Sequence, residues 1–264
     1  MLTRIVIGTA LGVATFAVVC HAPTSVLTLF IAAWAVLATL EFLGLLKRAD
    51  IRLNSLLICT LSASTVVAAW LGWLPGYVIA PIAVVFLTAV LTRSPLPRVP
   101  VYGAFVVIYL GLLPAHLVML RQTSDAAGFS RWLVLFPLVL TWTNDTAAYA
   151  VGKLIGRRKL MPQLSPKKTQ EGFLAGLIAS AVLSALWLGR LEPFTRRGWG
   201  WLALVGVGLG AMSQVGDLFE SLFKRAVSVK DSSTALRGHG GFLDRIDSLL
   251  FAIPAFYWLL RLYL

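Results

Sequence analysis

The stretch "TSVLTLFIAAWAVLATLEFLGLL", residues 24–46, carries one ionisable side chain, Glu41, in 23 positions. It exceeds the roughly 20 residues a helix needs to cross the hydrocarbon core of a bilayer. In lipid, backbone polar groups must be satisfied within the segment itself, which favours a helix. A membrane β-barrel would instead show alternating segments of about ten residues, and this run is continuously apolar. Working outward, eight more runs read the same way: about 5–20, 53–71, 76–92, 99–120, 132–150, 172–189, 198–222 and 248–264. The expected fold is therefore all-α, a polytopic membrane protein with about nine transmembrane helices.

Composition agrees. Apolar residues make up 58% of the 264 positions and charged residues only 13%, against about 25% in soluble domains. Little chain remains for a separate soluble domain. We divide it into N-terminal transmembrane helices, 1–95, and a catalytic transmembrane domain, 96–264, with long loops at 151–171 and 223–247. The net charge of +12 does not call for nucleic acid, because its distribution follows the positive-inside rule. With the N-terminus in the cytoplasm, 17 of the 23 Lys and Arg fall on inner segments and 6 on outer ones. The start, "MLTRIVIGTALGVATFAVVC", has a basic residue and a short apolar core but no convincing cleavage site, so it reads as a retained helix. Cys20 and Cys59 both lie in apolar runs and imply no disulfide framework.

Against this background, acidic residues near span ends point to function. Asp145, Asp217, Glu220, Asp244 and Asp247 all fall within about two turns of the inner surface on this topology. Glu41 and His116 stand apart and read as buried hydrogen-bonding groups. In "GDLFESLFKR", residues 216–225, Asp217, Glu220, Ser221 and Lys224 follow i, i+3, i+4, i+7, one face of a helix. Asp244 and Asp247 share a face at the start of the next. Carboxylates of this kind suit Mg²⁺, which takes one or two of them and completes its shell with water and phosphate. Lys224, Arg225, Lys230, Arg237 and Arg245 are interleaved, and Lys167 and Lys168 come from the other loop. Such cations would repel a cationic cargo but suit a phosphate-rich substrate. Gly238, Gly240 and Gly241 would admit close backbone approach to phosphate and positive φ. A structural salt-bridge network and anionic-lipid binding are the plainer alternatives.

The stretch "SLFKRAVSVKDSSTALRGHGGFLDRID", residues 221–247, resembles the signature of the phosphatidate cytidylyltransferase family, also called CDP-diacylglycerol synthases. Arg237 stands where that family usually has Pro. A second block, "NDTAAYAVGKLIGRRKLMPQLSPKKTQEG", residues 144–172, is similar to the family's Asp, Tyr, G-x-x-x-G and SPKKTxEG elements. "YLGLLPAHLVMLR" (109–121) is a weaker match. The similarity covers roughly 100–264.

The resemblance implies transfer of a cytidylyl group from CTP to phosphatidate, releasing pyrophosphate, in phospholipid biosynthesis. It also implies Mg²⁺, with a second, monovalent cation as an option, a homodimer, and a site at the cytoplasmic headgroup level of a bacterial inner membrane. Asp217 and Asp244 would hold the metal, with Asp247 in reserve. Lys224, Arg225, Lys230 and Arg245 would clamp the phosphates, and Ser165, Lys167, Lys168 and Thr169 would form a second anion cradle. Asp145, Ser221, Asp231, His239, Gly240 and Gly241 would complete the substrate pocket. The lipid phosphate is already ionised near neutral pH, so no strong general base is needed, and His239 is expected to touch phosphate. Two rival readings stay open: a CTP-dependent polyprenol or phytol kinase, and a lipid-binding homologue without catalysis.

Overall fold

A computed structural model describes residues 2–92, 97–229, 231–233 and 240–264. Lys230, Arg237, Gly238 and His239 lie outside the described residues. The chain is helical almost throughout: α1 (Leu2–His21), α2 (Thr24–Arg48), α3 (Ser55–Trp70), α4 (Leu74–Tyr77), α5 (Ile79–Leu91), α6 (Arg98–Val107), α7 (Leu113–Ala126), α8 (Trp132–Ile155), α9 (Gln170–Leu188), α10 (Trp199–Ala226) and α11 (Leu249–Arg261). A π-helical segment, Ile108–Leu112, joins α6 to α7, so Arg98–Ala126 runs as one helical rod. The expectation of an all-α polytopic membrane protein holds.

Among the described residues, four helices are long and apolar enough to cross a membrane, Thr24–Arg48, Arg98–Ala126, Gln170–Leu188 and Trp199–Ala226, and the other apolar runs form shorter helices or carry polar residues in mid-course. The apolar helices α3 and α5 have 16 and 13 residues. At 1.5 Å per residue they are about 24 and 20 Å long, short of a core of about 30 Å. Helix α8 has 24 residues but carries Thr141, Thr143, Asn144, Asp145 and Thr146 in mid-course. Each of the nine apolar runs is nonetheless helical. The loop expected at 151–171 holds a departure, a two-stranded antiparallel hairpin of β1 (Lys159–Met161) and β2 (Ser165–Thr169).

Local chemistry explains where helices start and how their polar residues survive burial. The Asn54 side chain accepts from Leu57 N at 3.1 Å and caps α3. The Thr169 hydroxyl accepts from Gly172 N at 3.2 Å and caps α9. Thr28, Thr65 and Thr141 donate to carbonyls four residues back, so their hydroxyls cost little inside an apolar helix.

The chain forms two compact units that do not follow chain order. Unit 1 holds residues 1–122 and takes back 226–246; unit 2 holds 123–225 and 247–264. In unit 1, α2 lies along α3. Gly111 meets the backbone of Ser62, where an added Cβ would stand 3.0 Å from Ser62 O. Arg121, fully buried, donates from Nη1 to Val19 O at 2.8 Å and from Nη2 to Ala22 O at 3.0 Å. It thereby takes up carbonyls at the C-terminal end of α1 that no further turn would reach. Arg121→Met is expected to destabilise the fold by about 3 kcal/mol, since hydrogen bonds from a charged donor are worth roughly 1.5–3 kcal/mol each. A thermal midpoint in detergent equal to wild type would refute this.

Unit 2 packs α8 against α9 and α11 against α8, with Phe136 and Phe256 at 5.0 Å between ring centres. The close approach of α8 to α9 depends on glycine. A Cβ on Gly172 would lie 2.5 Å from Ala148 O, and one on Gly156 would lie 2.6 Å from Thr169 Oγ1. The G-x-x-x-G spacing of Gly152 and Gly156 is therefore a packing device for the capped start of α9.

Candidate functional site

Two polar clusters emerge, one in each unit. In unit 2, a cavity of about 550 Å³ opens among α8, β2, α9 and α10. Asp145, Tyr149, Lys153, Lys167, Lys168, Phe173, Gln214 and Asp217 are among its lining residues. The helical periodicity of α8 puts Asp145, Tyr149 and Lys153 on this wall, and Gln214 and Asp217 come from one face of α10. Lys168 Nζ is 2.7 Å from Asp217 Oδ2. Ser221 Oγ donates to Asp217 Oδ1 at 3.4 Å. The sequence-expected residues Asp145, Lys167, Lys168, Thr169 and Asp217 thus come together. Thr169 contributes mainly as the α9 cap. Ser165 sits in β2 and is half-buried, but it does not line this cavity.

The next turn of α10 carries a buried network. Lys224 Nζ is 2.8 Å from Glu220 Oε2, and Glu220 is fully buried. Asp247 lies beside Glu220 and Lys224. Asp247 Oδ1 also accepts from Ser248 N at 2.6 Å. Burial, followed by the Asp217 charge, pushes the Asp247 carboxyl well above the ordinary carboxylate range, while Glu220, the Ser248 amide and Lys224 pull it down. The Gly216 position presses on this corner, since an added Cβ would meet Asp247 O at 2.5 Å. Arg225 donates from Nε to Leu164 O at 3.0 Å, fastening the hairpin turn.

In unit 1 the signature segment wraps on carboxylates. Asp244 lies in a short 3₁₀ turn, Leu243–Arg245, not on the helix α11. This corrects the expectation that Asp244 and Asp247 share a helical face. The physical reason is local: the Asp244 carboxylate accepts from the backbone around it, and that turns the chain before α11 begins. Asp244 Oδ2 accepts from Gly241 N at 2.7 Å, Ser232 Oγ at 3.0 Å and Ser232 N at 3.1 Å. Of the glycines expected to admit positive φ, Gly240 has φ +75° and Gly241 does not, and a Cβ on Gly240 would meet Asp244 Oδ2 at 2.5 Å. The glycines therefore make room for protein carboxylates. Arg245 is exposed.

Glu41 is the residue that sequence reasoning undervalued. It is not isolated. Its Oε1 accepts from Ser233 Oγ at 2.5 Å and Phe242 N at 3.0 Å. Its Oε2 accepts from Leu243 N at 2.9 Å and lies 3.0 Å from Ser232 Oγ, whose one hydroxyl proton it shares with Asp244 Oδ2. A Cβ on Gly241 would lie 2.2 Å from Glu41 Oε2. One acid in a 23-residue apolar run was the signal, but its partners lie about 200 positions away. His116 does behave as a buried hydrogen-bonding group, with Nδ1 2.9 Å from Leu112 O. Glu171 was also missed: it accepts from the backbone N–H groups of Arg157 and Arg158 at 3.1 Å and closes the hairpin entrance.

Among the described residues, no three His, Cys, Asp or Glu side chains are placed to hold one metal ion. Each ion could then draw on at most two such groups of the described chain. That suits Mg²⁺, whose remaining ligands are ordinarily water and substrate phosphate. The crowding of Asp217 and Asp247 and the all-oxygen donor set fit such a cation.

Carboxylates and lysines from α8, β2 and α10 thus line one cavity, and comparison with known proteins gives the family. The sequence model of the cytidylyltransferase family matches residues 2–263, and the chain belongs to that family. It is 38% identical over 159 residues to the phosphatidate cytidylyltransferase of Bacillus subtilis (strain 168), covering 59% of this chain and 56% of that one. It is 46% identical over 121 residues to the phosphatidate cytidylyltransferase of Staphylococcus haemolyticus (strain JCSC1435), covering 46% of each. It is also 43% identical over 147 residues to the uncharacterized protein YnbB of Escherichia coli (strain K12), covering 56% of this chain and 48% of that one. The chain thus spans about half the length of the curated relatives it matches.

Proposed function

We propose that the chain is a phosphatidate cytidylyltransferase, joining CTP and phosphatidate into CDP-diacylglycerol and pyrophosphate at the cytoplasmic face of a bacterial inner membrane. The observation that supports it most is the cavity in unit 2, where Asp145 and Asp217 face Lys153, Lys167 and Lys168. Its volume of about 550 Å³ falls in the usual range for small-molecule sites. The names of the two cytidylyltransferase relatives point to the same reaction.

The chemistry follows from the groups present. An oxygen of the lipid phosphate attacks the α-phosphorus of CTP, a new P–O bond forms, and the α–β P–O bond breaks with pyrophosphate leaving. The attacking oxygen carries its own negative charge, so positioning and charge neutralisation do the catalysis. Lys153, Lys167 and Lys168 would hold the triphosphate. The Lys168–Asp217 pair is partly exposed, with side chains 26% and 31% accessible. Pairs of that kind are worth about 1 kcal/mol or less, so Lys168 exchanges its carboxylate for phosphate at little cost. Lys224 would keep Glu220 and Asp247 charge-balanced beneath the site. When bound, Mg²⁺ would neutralise charge developing on the phosphates; Asp217 would hold it, with Asp247 beside it. Asp244 is proposed as a further ligand on the resemblance alone. Arg225, Arg245, Lys230 and His239 are proposed phosphate contacts on the same ground, as is Asp231 for substrate.

The test is turnover of purified protein in detergent with phosphatidate and CTP labelled at the α- or the γ-phosphate. Label reaching the lipid from the α-position is the expected result. Label from the γ-position would make the protein a lipid kinase. Neither label, in protein that still binds CTP, would leave a lipid-binding homologue.

A further inference from the structure

The hairpin of β1 and β2 forms one wall of the unit 2 cavity, through Leu160, Lys167, Lys168 and Thr169. Its own ladder gives it little hold. The strands have three and five residues, and a two-stranded hairpin alone is marginally stable in water. The register is irregular as well: Lys159 faces Thr169 and Met161 faces Ser165, with a shift between them. Short polar strands specify register weakly, and a slip of one residue turns every side chain to the other face. Such a slip would carry Lys168 away from Asp217 and out of the cavity wall.

The hold comes from outside the ladder. Glu171, in the first turn of α9, turns its carboxylate back on the start of the hairpin. Oε2 accepts from Arg157 N at 3.1 Å and Oε1 from Arg158 N at 3.1 Å. Beside them, Gln170 N donates to Arg158 O at 2.8 Å. The strand that carries Lys167 and Lys168 thus runs into the very helix whose first turn grips the lead-in to the other strand. At the far end, the bond from Arg225 Nε to Leu164 O holds the turn. An acid in a first helical turn ordinarily serves the helix dipole. This one places both oxygens on another segment, and paired charge-assisted bonds of that kind fix direction as well as distance.

We propose that Glu171 is a positioning residue for the nucleotide: its carboxylate, closed on the Arg157 and Arg158 amides, holds the hairpin in the register that presents Lys167 and Lys168 to the triphosphate. This rests on the CTP-binding role given to the cavity above. Glu171 itself touches no phosphate. It sets where two of the three cavity lysines stand, and so acts on CTP affinity. Lysines on the triphosphate bind ground state and transition state alike, so their misplacement raises KM and spares kcat.

The experiment compares wild type, Glu171→Gln and Glu171→Ala as the full chain in detergent. It reads amide hydrogen exchange across residues 157–169, equilibrium binding of CTP, and initial rates with α-labelled CTP. Both variants are expected to exchange about tenfold faster in the hairpin and to bind CTP about tenfold more weakly, the scale of one charge-assisted hydrogen bond. The KM for CTP should rise by the same factor, with kcat and the KM for phosphatidate near wild type. The thermal midpoint should hold, since both Glu171 bonds lie at the surface. A lower kcat at unchanged KM would mean only a smaller folded fraction and would overturn the proposal, as would wild-type exchange across the hairpin. Wild-type CTP binding on a faster-exchanging hairpin would overturn it too, because the lysines would then not need the register. Faster exchange with weaker CTP binding, in a protein that never transfers the α-label, would overturn the cytidylyltransferase reading and leave Glu171 in its role. No CTP binding by wild type would overturn both.

Discussion

Replacing Asp217 with Asn is expected to lower transfer of the α-phosphate of CTP to phosphatidate by about 10²–10³-fold, the usual effect of losing one charged stabilising group in a preorganised site. Asn preserves size and one oxygen but removes the charge that faces Lys168 at 2.7 Å and would bind Mg²⁺. Stability should barely change, because a pair this exposed is worth about 1 kcal/mol or less. The thermal midpoint in detergent therefore separates a chemical role from a structural one. Raising Mg²⁺ should recover part of the activity if weakened metal binding is the cause. Full activity in Asp217→Asn would remove the carboxylate from the reaction and with it the placement of catalysis in the unit 2 cavity.

The second large effect is expected far from that cavity in sequence. Glu41→Gln should reduce turnover by roughly 100-fold and destabilise the protein by about 1–3 kcal/mol, since it orphans part-buried donors. Glu41 Oε1 accepts the Ser233 hydroxyl and the Phe242 N–H, and Oε2 accepts the Leu243 N–H and shares the Ser232 hydroxyl with Asp244. The amide NH₂ of Gln would confront one of those pairs donor to donor. A serine hydroxyl can turn to accept, but the N–H of Phe242 or Leu243 cannot. The segment it would loosen carries Gly240, Gly241 and Asp244. Both quantities are read directly, from the unfolding midpoint and from initial rates with labelled CTP. A variant with wild-type values for both would show that the Glu41 contacts do not set the conformation of the signature segment.

Much of the candidate site was legible because its chemistry is local. The periodicity of 216–225 puts Asp217, Glu220, Ser221 and Lys224 on one helical face, and Lys224–Glu220 and Ser221–Asp217 contacts form at that spacing. The SPKKT block is contiguous, so Lys167, Lys168 and Thr169 arrive together. What the pattern lacked was each group's partner. Lys224, expected to clamp phosphate, is buried against Glu220 in this structure. Gly240 and Gly241, expected to admit phosphate, make space for Asp244 and Glu41. Both differences have one cause: a carboxylate accepts from whatever donor the fold brings near, and sequence spacing reports only donors within a turn or two.

By itself, then, the sequence determined the solvent and the helices of its apolar runs. Apolar runs of this length leave the backbone no partner but its own turn, and helices form in all nine. It also determined which residue types carry the chemistry, because ionisable groups are too costly in such runs to persist without use. Tertiary structure alone decided that residues 226–246 return to the N-terminal unit. It also decided that Glu41 anchors them across 191 to 202 positions, and that the Lys168–Asp217 pair closes the cavity wall. Hydrogen bonds and ion pairs act over about 3 Å regardless of chain separation. Only the packing of helices says which distant groups come within that reach.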